Sequence, residues 1–151
     1  MKKIGEPLTV RGRLDPAAEA NDNFRISLFD GRFDTAYKVT RFEITPHSIG
    51  DPNGDVFVAK LCTESLATQN WFWEDNREIA WSIGSYHLGG NLPFGFQSWI
   101  DPENLIVEDL FIVANSGFEG SVNYIIEMQK YNITEWKGAL AMVRNKSQGA
   151  D

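Results

Sequence analysis

Cysteine is almost absent from this chain. Cys62 stands alone among 151 residues, which excludes an internal disulfide framework and any zinc site built on several thiolates. Histidine is nearly as scarce, with only His47 and His87, too few for a zinc or cupin-type iron centre. No apolar run extends beyond a few residues, whereas one helical membrane crossing needs about 20. Met1-Lys2-Lys3 resembles the start of a signal peptide, but Pro7, Arg11 and Arg13 leave no apolar stretch behind it. These absences predict a soluble chain made in a reducing cytoplasm, with no signal peptide, membrane span, metal or cofactor.

What is present is enough for one core. A chain of this length buries roughly two-thirds of its unfolded surface as a single domain. The formal net charge is −7, unevenly spread. Residues 1–13 balance to +3 through Lys2, Lys3, Arg11 and Arg13. Residues 76–135 balance to −6, and the last sixteen residues return to +2. Basic ends on an acidic body are either solvated termini or contacts for a neighbour's acidic surface. An acidic body is a poor partner for nucleic acid, whose affinity depends on neutralising many phosphates.

Strand periodicity dominates. Phe24, Ile26 and Leu28 alternate with Arg25 and Ser27, and Asp30-Gly31 supplies a turn. Further strands are expected over Tyr37–Thr45, ending at Pro46, and over Val56–Thr63 after the turn Asp51–Asp55. The same pattern continues through Ile79, Trp81 and Ile83, through Leu105–Val113, and through Val122, Tyr124, Ile126 and Met128. Glu108-Asp109 marks an end or a bulge, and a shorter strand fits Leu8–Arg13. About seven to eight such strands predict an all-β, single-domain antiparallel β-sandwich or jelly roll. The expected organisation is an N-terminal arm and polar linker over 1–23, the sandwich over 24–131, and a helix and tail over 132–151. Thr134 can cap that helix, in which Trp136, Leu140 and Val143 fall on one stripe. The stripe must lie on its own sandwich or on a neighbouring subunit.

Catalytic signatures fail in turn. Ser48 beside His47 is no triad, and no Gly-x-Ser-x-Gly elbow exists. Cys62 lies inside an expected strand and reads as a buried apolar residue. Asp51, Asn53 and Asp55 begin like a calcium loop, but Val56 replaces the required Gly and Cys62 the terminal Glu. Glu74-Asp75 and Glu108-Asp109 could join a calcium site only if folding brings them together. No carboxylate pair singles itself out for glycosidase work, and no glycine fingerprint cradles phosphate. Asn132-Ile133-Thr134 and Asn145-Lys146-Ser147 match glycosylation sequons, which mean little without secretion. The chain reads as non-enzymatic.

The informative feature is aromatic. Trp71, Phe72 and Trp73 crowd one long connection, and Phe94, Phe96 and Trp99 crowd another. Large rings in connecting segments plug an open end of the sandwich, form subunit contacts, or stack against a sugar.

The tracts Phe29-Asp30-Gly31-Arg32-Phe33 and Ile100-Asp101-Pro102-Glu103-Asn104-Leu105-Ile106-Val107-Glu108-Asp109-Leu110 look like those of small structural proteins from aquatic phages. Over residues 24–131 the pattern resembles viral single jelly-roll virion proteins. That resemblance implies a capsid, decoration or spike subunit, located in the virion, whose partners are copies of itself and other virion proteins. Trp71, Phe72, Trp73, Phe94, Phe96, Trp99, Trp136, Leu140 and Val143 are then the interface candidates. Lys2, Lys3, Arg11 and Arg13 would form a basic arm against an acidic neighbour. The alternative is a glycan-binding β-sandwich that uses the same loop aromatics, in host attachment.

Overall fold

The computed structural model describes residues 1–15, 23–28, 31–32, 34–47, 55–66, 68–86, 95–116 and 121–146. The chain runs through β1 (Lys2–Leu14), β2 (Asn23–Ser27), β3 (Thr35–Pro46), β4 (Asp55–Cys62), β5 (Glu78–Tyr86), β6 (Gly95–Ile100), β7 (Asp109–Ser116), β8 (Val122–Asn132) and α1 (Glu135–Asn145). The strands form two antiparallel sheets, one ordered β1-β8-β3 and the other β2-β7-β4-β5-β6. The expected all-β sandwich with a short C-terminal helix is therefore the fold. Pairing is nested: β1 bonds to β8, β2 to β7 and β4 to β5, and β6 lies against β3 while bonding to β5. This nesting approaches that of one long hairpin rolled into two sheets, except that β6 bonds to β5 in the five-stranded sheet and not to β3.

The core sits between the inner faces. Val39, Phe42 and Ile44 of β3 and Val122, Tyr124, Ile126 and Met128 of β8 meet Phe57, Ala59 and Leu61 of β4 and Leu110, Ile112 and Ala114 of β7. Their period of two is interrupted once. Val39 faces Met128 and Arg41 faces Glu127, so Thr40 is the extra residue of a bulge, and Phe42 returns to the inner face. Burying each of the larger of these side chains contributes about 1.5–3 kcal/mol. Asn104 closes one end by donating to the Val39 carbonyl at 3.0 Å and accepting from the Val39 N–H at 2.7 Å.

Four expectations change. The N-terminal arm is, over Lys2–Leu14, an edge strand on β8 rather than a free segment. Leu8, Val10 and Leu14 alternate with Thr9, Arg11 and Arg13, and Val10 and Leu14 pack on the core, which holds the strand down. Gly5, at φ +66°, takes up the register shift between Ile4 and Leu8. Within the long connection expected over 87–103, Gly95–Ile100 is a strand. The strand expected from Leu105 starts at Asp109. Residues 105–107 instead form a buried strap bridged to Tyr37 through paired 2.8 Å hydrogen bonds at Ile106.

The fourth change concerns α1. Its cap is as expected, the Thr134 hydroxyl accepting from the Lys137 N–H at 3.2 Å. Of the two expected seats for its stripe, its own sandwich is not the one used. Gly138, Ala141 and Asn145 face inward, while Trp136, Leu140 and Val143 are 72%, 50% and 67% exposed. The seat is small and polar at its centre. Asn145 donates to the Leu105 carbonyl at 2.8 Å, and its own carbonyl accepts from the Thr63 hydroxyl. Around this anchor Ala36, Leu105, Val107, Ile133 and Ala141 make a second small core, with no place for an indole.

Candidate functional site

The loop joining β4 to β5 folds back across the outer face of the five-stranded sheet. Two charges beneath it determine how. Lys60 and Glu78 project from neighbouring strands into this face and are 1% and 0% exposed, with Nζ to Oε2 at 2.9 Å. Lys60 also donates to the Asn70 carbonyl at 2.6 Å. The other Glu78 oxygen, Oε1, accepts from the Phe72 N–H at 2.8 Å and from Trp81 Nε1 at 2.9 Å. Residues 70–72 are thus tied on both sides to one buried pair, and the Phe72 ring lies 5.8 Å from the Lys60 ammonium. A buried pair of this kind is tolerated only when its members find further hydrogen-bond partners, as both do here.

A second clamp closes the loop. Asp75 receives the Arg77 guanidinium through both carboxylate oxygens, with Nη2 to Oδ2 at 2.7 Å, and also the Arg77 backbone N–H at 3.0 Å. Burial alone would push the Asp75 carboxyl up, but its hydrogen bonds and charge contact with Arg77 outweigh that and hold it below its ordinary range. Leu66 completes the anchorage by packing on Cys62 and Val113.

On this base stand four indoles. Trp81 is buried and meets Trp73 at 5.6 Å with the rings tilted by 45°, Trp73 lies 6.0 Å from Trp99, and Trp99 meets Trp71 edge-on at 5.9 Å. Trp73 and Trp99 remain 59% and 38% exposed. Such spacings are those of favourable aromatic pairs. The array is a fixed, solvent-facing aromatic surface; Trp71, Trp73 and Trp99 come together as a patch, with Phe72 beside it over Lys60.

The remaining sequence candidates divide. Phe96 alternates to the inner side of β6, where its ring covers Gly84 so closely that a Cβ there would come within 1.8 Å of it. It does not join the indoles. Phe94 and His87 lie outside the described residues, as does most of the Asp51–Asp55 turn. Trp136, Leu140 and Val143 form a separate exposed stripe, and an open groove of about 380 Å³ runs beside it between α1 and residues 103–105. Lys2 and Lys3 are exposed on β1, opposite Asn132 and Tyr131. Arg11 and Arg13 lie on the outer face of the three-stranded sheet, so the four basic residues decorate a strand and not an arm.

The titratable groups described around this face are buried or largely paired. Burial pushes the Cys62 thiol up to about 12, which keeps it protonated and unreactive. Asp75 is committed to Arg77, and Asp109 pairs with Arg25 through Oδ2 at 2.7 Å while its buried Oδ1 has no hydrogen-bond partner among the described residues. Among the described residues no three His, Cys, Asp or Glu side chains converge as a metal site. Sequence reasoning found the indoles but missed Lys60 and Glu78. A lysine within an apolar strand, with a glutamate opening the next strand, was the available signal.

Comparisons with family models, with curated proteins and with solved structures return no match.

Proposed function

We propose that this protein is a non-enzymatic structural subunit of a virion, working by self-association. The observation that carries the proposal is the outward stripe of α1. A helix fastened by Asn145, Thr63 and its Thr134 cap nevertheless leaves Trp136, Leu140 and Val143 in water. Continuous exposed apolar surface of this kind marks a contact surface. The tryptophan array supplies a second one on another element, and aromatic clusters dominate the energetics of interface cores. A subunit with two different sticky surfaces makes heterologous contacts, which close into rings and shells when the rotation allows. The nested sandwich and the resemblance of the 24–131 pattern to single jelly-roll virion proteins add the context of a shell, cap or spike.

Sedimentation velocity tests the proposal. The native chain is expected to sediment as an assembly. Trp136→Ser/Leu140→Ser, whose positions are exposed, is expected to sediment as smaller species with an unchanged circular dichroism spectrum. A native chain that remains monomeric over the accessible concentration range overturns it.

The anchorage of the Trp71-Trp73-Trp99 array on Lys60, Glu78 and Trp81 favours a second reading, a glycan-binding face. Preorganised rings bind with little ordering cost. On that reading tryptophan fluorescence responds to neutral oligosaccharides, and added sugar leaves the sedimentation profile unchanged.

A further inference from the structure

The outer face of the three-stranded sheet holds an open groove of about 690 Å³ that neither contact surface uses. Cross-strand rows build it. Arg11, Ile125 and Glu43 form one row and Arg13, Asn123 and Thr45 the next, with His47 following β3 at the rim. The charges in these rows are unequally committed. Arg41 is spent on Glu43 at 2.6 Å and on Glu127 at 3.3 Å. Arg13 touches Asp15 at 3.5 Å and the His47 ring at 3.4 Å. Arg11 has no hydrogen bond or ion pair among the described residues. One guanidinium is therefore unspent and a second only loosely held, in a chain whose overall charge is −7.

That balance selects the ligand class. A polyanion needs many cations in register; a nucleic-acid site making about 6–10 phosphate contacts would find one free arginine here. A single carboxylate is matched, because the guanidinium fork pairs with it geometrically. The rest of the lining mixes donors and acceptors: the Asn123 amide, the Thr45 hydroxyl, the His47 ring and the Glu43 carboxylate. Hydroxyl groups, which donate and accept at once, suit such a lining. The volume falls within the roughly 300–1,000 Å³ of small-ligand sites. We propose that this groove binds an acidic sugar, a monosaccharide or disaccharide unit carrying one carboxylate, with Arg11 and Arg13 on the carboxylate and Asn123 and Thr45 on its hydroxyls.

The test uses the full chain with glucuronate, N-acetylneuraminate, glucose and sodium sulfate as probes, read by calorimetry and by saturation-transfer NMR, which tolerates an assembled sample. Saturable binding of at least one acidic sugar is expected, with glucose far weaker. Arg11→Gln, at an exposed position with no partner to lose, is expected to weaken it about tenfold or more, as removal of one charge-assisted contact does. Asn123→Asp, which adds a like charge, should weaken it further. The proposal is overturned if neither acidic sugar binds, if glucose binds equally well, or if Arg11→Gln has no effect. Sulfate binding as tightly as the sugars would reduce the groove to a bare anion site and overturn it too. Self-association is read separately by sedimentation, so either proposal can fail alone.

Discussion

At the scale of single residues, the Lys60–Glu78 pair is where stability and the tryptophan array are linked. Removing one partner strands a buried charge. Lys60→Met is expected to cost about 3–5 kcal/mol, measured as a lower urea midpoint. Lys60→Met/Glu78→Gln should recover most of that, because the glutamine oxygen can still accept from the Phe72 N–H and Trp81 Nε1 while no charge is left alone. Cys62 gives a pH-dependent counterpart. Its folded pKa is raised by burial from 9.0 to about 12, so folding disfavours the thiolate. The sign follows: stability is untouched below 9.0 and falls as pH rises from there toward 12. The slope approaches about 1.4 kcal/mol per pH unit. Tyr124, also raised by burial, adds to the alkaline loss, so the difference between native and Cys62→Ala denaturation curves isolates the thiol. None of these partnerships was legible in the sequence, since what faces a buried lysine depends on register and on where a loop folds back.

At the scale of elements, alternation was the dependable guide, and it failed where both faces of a strand are used. β3 and β8 follow their patterns to within a few residues because one face is core and the other meets water, and β4 and β5 read as strands although the loop between them covers their outer face. β6 carries Phe96 and Ile100 on one side and Trp99 on the other, so it lacks that contrast and reads as connection. The α1 stripe was legible as a set of residues, and of its two expected seats its own sandwich is not the one used. Periodicity locates an apolar stripe, whereas anchorage decides which way it turns, and Asn145 and Ala141 fit the small seat that Trp136 does not. β1 shows the same competition from the other side. Gly12 stands on its inner-facing row because the Tyr124 ring lies beneath it, its hydroxyl only 2.8 Å from where a Cβ would be. Gly12→Ala must displace that ring and is expected to destabilise by about 1–3 kcal/mol in thermal or urea denaturation.

At the scale of the whole molecule, two surfaces compete to explain association, and they can be separated. The array rests on Glu78 and Lys60, which do not depend on the exposed rings. Trp71→Ala/Trp73→Ala is therefore expected to keep the far-ultraviolet circular dichroism of the native chain and to shift its sedimentation toward smaller species. Loss of folding would instead assign these rings to covering the sheet. Combined with the α1 variant, the two changes should act additively if the surfaces meet different neighbours, and no more than singly if they meet each other.

β8 is the middle strand of its sheet, and both of its neighbours precede it in the chain. As the polypeptide leaves the ribosome, β1 and β3 wait with unsatisfied backbone until Val122–Asn132 arrives between them. Half of the sandwich is thus assembled last and all together, from partners more than a hundred residues apart at one edge. Such long-range closure is slow and leaves strands exposed meanwhile. A chain cut short before β8 would be an aggregate rather than a smaller domain.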